Sequence, residues 1–191
     1  LIEDTIQSLI EKTRAGELNR KSIKRFLANL TIGSGGVAIS LTSNHLNPKA
    51  PELKGSVTLT DSEANILCQG DGNAHGLMME TDSEALMQAG VALAKKSWAQ
   101  AKDELFPSTP PDWVITHQVG SAHEKLTLET LGLSEIKTER TYPELGNTGS
   151  AALPLTLSKL IQSGRLQNGE SVALLGIGSG LTATMMGIQW Q

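Results

Sequence analysis

Aromatic side chains are scarce in this sequence: two Phe, one Tyr and three Trp make up 3% of its 191 residues. Platforms for stacking nucleic-acid bases are correspondingly few. Positive charge is not in surplus either, since 16 Lys and Arg face 20 Asp and Glu for a formal net charge of -4. That balance excludes binding to a phosphate backbone by bulk electrostatics, and no nucleic-acid partner is expected. The single cysteine, Cys68, cannot form an intrachain disulfide, and an intracellular, cytoplasmic protein is the natural reading. No apolar run approaches the roughly 18 residues of a bilayer span, and no signal-peptide pattern is present, so no membrane partner is expected. No metal-ligand cluster, repeat or low-complexity segment is visible.

What remains is an ordinary globular composition, 39% hydrophobic and 19% charged. The chain opens at Leu1 inside a helical pattern and without Met, which leads to the expectation that it is a fragment. Ile2, Ile6, Leu9 and Ile10 recur at helical spacing, with Gly16 placed to stop the helix, and a second short helix is expected over Arg20 to Leu27. After Gly33-Ser34-Gly35-Gly36 the run Val37-Ala38-Ile39-Ser40-Leu41 predicts a buried strand. Asn44 to Pro51 is a loop, Gly55 to Thr60 a strand, and Leu77 to Met79 a further short strand.

Near residue 81 the pattern restarts, and a division into residues 1–80 and 81–191 is expected. Thr81 with Glu84 has the form of a capping box, followed by a long helix with Leu86, Ala89, Leu93, Ser97 and Ala101 on one face. Trp113-Val114-Ile115 reads as a buried strand, Ser121 to Leu131 as a helix closed by Gly132, and Ile136 to Arg140 as a strand. Gly149 to Gln162 reads as a helix with Pro154 in its first turn. Ser171 to Leu175 and Thr182 to Trp190 complete the strands. Helices alternating with hidden strands predict an α/β fold with helical layers over a sheet.

Three segments fall at junctions between these elements: Thr116-His117-Gln118-Val119, Gly146-Asn147-Thr148-Gly149-Ser150 and Gly176-Ile177-Gly178-Ser179-Gly180-Leu181. Each has a bland reading. His117 alone is a hydrogen-bonded residue at a strand end, and Asn147 between two glycines is a turn residue. The glycine run lacks the Lys of a phosphate loop, and a strand follows it where a dinucleotide fingerprint requires a helix. A glycine-rich turn between strands instead brings bare backbone N–H groups close to a ligand, as an oxyanion hole does. His123, six residues after His117, reads as a solvated helix residue, and His45 and His75 lie in polar loops. Cys68 is expected to end a strand as a half-buried thiol, because no capped helix or neighbouring cation activates it.

Taken together, the three segments resemble the C-terminal half of the thiolase-fold condensing enzymes of the ketoacyl-ACP synthase III type. Gly33-Ser34-Gly35-Gly36-Val37-Ala38 is similar to the strand that closes that family's first half, and details such as His117-Gln118-Val119 with His123 behind look closest to the OleA-type branch. The resemblance implies a layered αβαβα fold, here the end of the first half and the complete second half. It implies acyl transfer from CoA or acyl carrier protein to a cysteine, then Claisen condensation, with no further cofactor and with a homodimer as the assembly. His117 and Asn147 match the family's pair that holds the donor thioester and stabilises its enolate. The backbone at Gly178 and Ser179 matches the hole facing the acylated cysteine, and His117 is placed to help ionise that thiol. Cys68 does not match the nucleophile, so this chain alone is expected not to catalyse condensation. A non-catalytic partner subunit of a heteromeric synthase stays open. An unrelated hydrolase lacks a Gly-x-Ser-x-Gly elbow.

Overall fold

The structure is a computed structural model and describes residues 2–19, 22–70 and 79–191. Its centre is a five-stranded sheet in the order β1-β7-β6-β4-β5, where β1 is Glu52–Thr60, β4 Trp113–Thr116, β5 Lys137–Thr138, β6 Ser171–Gly178 and β7 Thr182–Gln189. β2 (Cys68–Gly70) and β3 (Met79–Thr81) form a separate antiparallel pair. The sheet is mixed: β4 runs parallel to both β5 and β6, whereas β7 runs antiparallel to β6 and β1. β1, from the stretch before residue 80, thus supplies one edge of the sheet that carries all the later strands.

Strand alternation sends side chains to two opposite cores. Val114 on β4, Ala173 and Leu175 on β6, and Ala183 and Met185 on β7 face a cluster with Leu93, Ala94, Trp98, Ala101 and Leu105 of α2 (Ser83–Leu105) and Leu128 of α3 (Ser121–Leu131). Trp113, Ile115, Val172 and Leu174 face the other way, against Leu160 of α5 (Ala152–Gln162), with Leu153 and Leu157 beside it. Both faces of β4 and β6 are therefore covered, which explains why they read as continuous apolar runs. Each fully buried Val, Leu or Ile contributes roughly 1.5–3 kcal/mol. The remaining helices are α1 (Ile2–Arg14), the short α4 (Tyr142–Leu145), and 3-10 helices over Ser22–Leu30, Ser62–Leu67 and Gly149–Ala151. None of the described helices is long and apolar enough to cross a membrane.

From residue 83 onward most helix and strand expectations hold, with Gly132 in the left-handed C-cap conformation and Pro154 in the first turn of α5, although the helix expected from Gly149 opens as a 3-10 turn over Gly149–Ala151. Several others need correction. The cap of α2 is Asp82, whose carboxylate accepts the Ala85 N–H at 3.1 Å, so Thr81 and Glu84 do not form the expected box. The second helix is a 3-10 helix over Ser22–Leu30; the expected start at Arg20 lies outside the described residues. Cys68 opens β2 instead of ending a strand, because Ile66 and Leu67 belong to a 3-10 helix. The strand expected near 136–140 shortens to Lys137–Thr138, while His75 and residues 77–78 of the expected short strand lie outside the described residues.

The run Val37 to Leu41 differs most. It belongs to no sheet, and Val37, Ile39 and Leu41 are 42%, 67% and 78% exposed. β-branched residues favour a pleated, half-buried surface and do not create one. Without a neighbouring strand among the described residues, the propensity of residues 37–41 has nothing to pair with.

Candidate active site

The three segments singled out in the sequence leave the sheet along one edge. β5, β4 and β6 are adjacent and parallel, and their carboxyl ends lead directly into residues 139–147, His117 and the loop at Ser179. Thr116 pairs with Leu175, and the His117 N–H donates to the Leu175 carbonyl at 2.9 Å, which fixes where the histidine leaves β4. The carboxyl edge of parallel strands is the part of an α/β sheet where ligand sites collect, since backbone groups there are released from the ladder.

His117 is half-buried, and its ring has no hydrogen-bond partner among the described residues. Burial, with the charge of nearby His123 adding to it, pulls the imidazole down from its ordinary 6.5 to about 4. It is neutral across physiological pH, and one ring nitrogen carries a proton available for donation. His123 corrects the solvated reading: it stands in the first turn of α3, burial lowers it too, and its Nδ1 is enclosed without a hydrogen-bond partner. The two histidines influence one another because His117 precedes α3 instead of sharing a helical face with His123.

Asn147 is held by its backbone. Its N–H donates to the Thr31 carbonyl at 2.8 Å, and its carbonyl accepts the Gly33 N–H at 2.8 Å, forming a parallel bridge with Ile32. Gly33 and Gly146 make that approach possible: a Cβ on Gly33 would stand 1.7 Å from the Leu145 carbonyl oxygen, and one on Gly146 would stand 2.6 Å from the Thr31 oxygen. The Asn147 side chain uses Oδ1 to accept the Gly149 N–H at 3.0 Å, an Asx turn, and this orients Nδ2 away from its own backbone. Among the described residues, nothing accepts from Nδ2.

Gly178 ends β6 opposite Thr182, is exposed, and has nothing within 4 Å of where a Cβ would be. The turn that follows carries a cis peptide between Gly180 and Leu181, and Leu181 is bonded through both backbone groups to Asp61 at the end of β1. Ser179, in this turn, is also exposed. Among the described residues, no group of three His, Cys, Asp or Glu is placed to hold a metal ion.

Polar ties that the sequence did not reveal hold the segments of His117 and Asn147 in place. The carboxamide of Gln118, which is fully buried, bonds to Thr116, Thr141 and Tyr142. Glu124 of α3, 3% exposed, receives Arg140 through Nε at 2.8 and 3.0 Å, joining α3 to the segment that leads to Asn147. Lys159 of α5 donates to the Arg140 carbonyl at 2.9 Å and to Glu144 at 2.6 Å. The only sequence signal for these residues was the position of Gln118 directly after His117. An apolar groove between α1 and the first 3-10 helix, lined by Ile6, Leu9, Ile10, Ile23 and Leu30, belongs to elements that carry none of the site residues.

The layered α/β architecture is thiolase-like, and the chain corresponds to the C-terminal part of proteins with that fold. Residues 108–190 match the family described as 3-oxoacyl-[acyl-carrier-protein] synthase III C terminal. More particularly, the chain is 35% identical over 185 residues to an acyl-CoA:acyl-CoA alkyltransferase of Xanthomonas campestris pv. campestris, covering 96% of this chain and 54% of the relative. It is 38% identical over 173 residues to the protein of that name from Shewanella oneidensis, covering 86% and 50%. A crystal structure of Xanthomonas campestris OleA with bound cerulenin superposes with a TM-score of 0.84 at 31% identity, over 99% of this chain and 54% of that one. A cysteine-to-serine variant of OleA with bound lauric acid and lauroyl-CoA superposes with a TM-score of 0.82 at 32% identity, over 97% and 54%. The chain spans about half the length of the relatives it matches.

Proposed function

We propose that this chain is the C-terminal part of an acyl-thioester condensing enzyme, and that His117 and Asn147 hold the thioester carbonyl of the donor substrate. The observation that carries this reading is the pair of unused donors: one imidazole N–H and one carboxamide N–H, both half-buried, on neighbouring loops at one sheet edge. Half-buried donors left free by the protein are placed to meet a ligand oxygen without first breaking an internal bond.

In the reaction, a cysteine thiolate outside this chain attacks an acyl-CoA or acyl-carrier-protein thioester, the carrier thiolate leaves, and the acyl group becomes a cysteine thioester. The donor acyl thioester then gives up an α-proton to a base, or a malonyl-type donor releases CO2, and either leaves a carbanion at the α-carbon. The negative charge delocalises onto its carbonyl oxygen, where His117 and Asn147 donate. The α-carbon attacks the cysteine thioester, whose own oxyanion faces the backbone N–H groups at Gly178 and Ser179, and the cysteine leaves as thiolate. Each preorganised donor is worth about 3 kcal/mol, or about 10²- to 10³-fold in rate. The reading uses no metal or further cofactor, and a homodimer is the assembly it takes from the resemblance.

In an enzyme of the relatives' full length bearing this sequence, Asn147→Ala is expected to keep acylation of the cysteine by radiolabelled acyl-CoA while condensation falls by about 10²-fold. Equal loss of both half-reactions overturns the assignment. So does stable acyl labelling of Cys68 in this chain. The exposed apolar run from Val37 to Leu41, with Leu46 80% exposed, favours one second reading: a non-catalytic subunit covered by a cysteine-bearing companion. Co-purification with such a companion, together with unchanged condensation in Asn147→Ala, selects it.

A further inference from the structure

We propose that Gln118 is a positioning residue that ties the loop of His117 to the loop of Asn147, so that the two groups are held as one unit. The consequence for catalysis rests on the donor-pair reading above; the tie itself does not.

Gln118 is 0% exposed and is the only amide among the largest fully buried side chains of the described residues. Burying a carboxamide is costly unless both of its ends are bonded. Here Nε2 donates to the Thr116 carbonyl at 2.7 Å, and Oε1 accepts the N–H groups of Thr141 at 2.8 Å and Tyr142 at 3.2 Å. One end therefore grips the last residue of β4, immediately before His117. The other end grips the start of α4, whose N-cap residue Thr141 makes no side-chain cap of its own. Gln118 caps that helix from a distant position in the chain.

From that cap the frame runs unbroken to Asn147. The Leu145 N–H returns to the Thr141 carbonyl at 2.8 Å and the Gly146 N–H to the Tyr142 carbonyl at 3.1 Å, and Asn147 follows. The Thr141 hydroxyl lies 2.7 Å from that of Thr156, which donates to the Ala152 carbonyl at 2.8 Å, so the same corner is also moored to α5. No side chain of similar size replaces Gln118 fully: Leu offers no bond at either end, and an ionised Glu keeps the acceptor for Thr141 and Tyr142 but turns an acceptor toward the Thr116 carbonyl.

Amide hydrogen exchange on this chain tests the tie directly. In the unaltered protein the amides of Thr141, Tyr142, Asn147 and Gly149 are expected to share one opening equilibrium. In Gln118→Leu the Asn147 and Gly149 amides are expected to exchange about tenfold faster or more, while those of β6 and β7 keep their protection. Gln118→Glu is expected to recover part of the loss. Independent opening in the unaltered protein overturns the tie even if Gln118→Leu does not fold, as does unchanged protection in a folded Gln118→Leu.

In the full-length enzyme, Gln118→Leu is expected to lower kcat for condensation by about 10- to 100-fold with KM and cysteine acylation little changed. Its effect should combine with that of Asn147→Ala less than additively. Additive effects, or full condensation in Gln118→Leu when Asn147→Ala has lost it, overturn the positioning role. If Asn147→Ala and His117→Ala both condense normally, the donor-pair reading fails, and the exchange data still decide whether Gln118 holds the loops.

Discussion

The close approach of Gly146 to Thr31 gives the sharpest test of how the Asn147 loop is built. Gly146 has φ 66° and ψ -161°, a region open to essentially no residue but glycine, where an alanine costs about 1–3 kcal/mol in backbone strain. Its Cβ would also stand 2.6 Å from the Thr31 oxygen, a backbone atom that no rotamer change can move aside. Relief requires residues 31–33 and 145–147 to separate, which stretches the two 2.8 Å bonds that hold Asn147, each worth about 1 kcal/mol net. Gly146→Ala is therefore expected to lose about 2–4 kcal/mol, or about 5–15 °C in Tm for a chain of this size. Gly149→Ala is the control. Gly149 has φ 60° but open space where the Cβ would go, so only the left-handed penalty of about 1–2 kcal/mol applies. Parallel thermal and denaturant melts of the two variants read the difference. Equal losses, or a larger one at Gly149, would refute the argument that close backbone packing places Asn147.

Three further outcomes follow from the packing and the charges. The His117 ring protons, followed by NMR, are expected to titrate near pH 4; because the folded pKa lies below 6.5, this group's contribution to stability is complete above pH 6.5 and is lost as pH falls toward 4. A midpoint at or above 6.5 contradicts the burial argument. Leu160→Ala, at a fully buried position between α5 and the sheet, is expected to cost about 2–5 kcal/mol in denaturant melts, and a cost below about 1 kcal/mol would mean that α5 is not closing that face. Glu170 is held down to about 2 by Lys137, the Gln167 N–H and Trp113 Nε1, so its stabilisation is present above about pH 4.5 and disappears as pH falls to about 2; Glu170→Gln is expected to flatten stability against pH in that window, and an unchanged profile counts against it.

How much of this was legible depended on what each residue responds to. β4, β6 and α2 were readable because their apolar pattern is itself the cause of their burial: Trp113 and Ile115 against α5, Val114 against α2. Val37 to Leu41 misled because the same pattern becomes a strand only beside another one. Asp82 took the cap from Thr81 because several residues in sequence have suitable oxygens and only geometry chooses between them. His117 and Asn147 were singled out through motif and resemblance, whereas the ties made by Gln118 and Glu124 were not legible, since their partners lie 23 and 16 residues away in segments with no periodic signal. Polar ties of this kind leave no spacing rule in the chain.

The electrostatics of the proposed site follow from the same arrangement. Once an enolate forms, a permanent positive charge at His117 would bind it well, but it would also bind the carboxylates of free fatty acids before any reaction. A neutral imidazole and a neutral carboxamide hold the uncharged thioester only weakly and interact most strongly when charge arrives at the oxygen, which is the selectivity that a catalyst needs. Keeping the histidine neutral requires burial at the mouth of a loop, where a ring would ordinarily be wet. β4, covered on both faces, delivers His117 directly from the dry interior, and His123 adds its own opposition to a second proton. Partial burial at the strand end and the lowered pKa of the ring thus have one cause. A substitution that lets water reach His117 should raise its pKa toward 6.5 and weaken discrimination between thioester and free acid together.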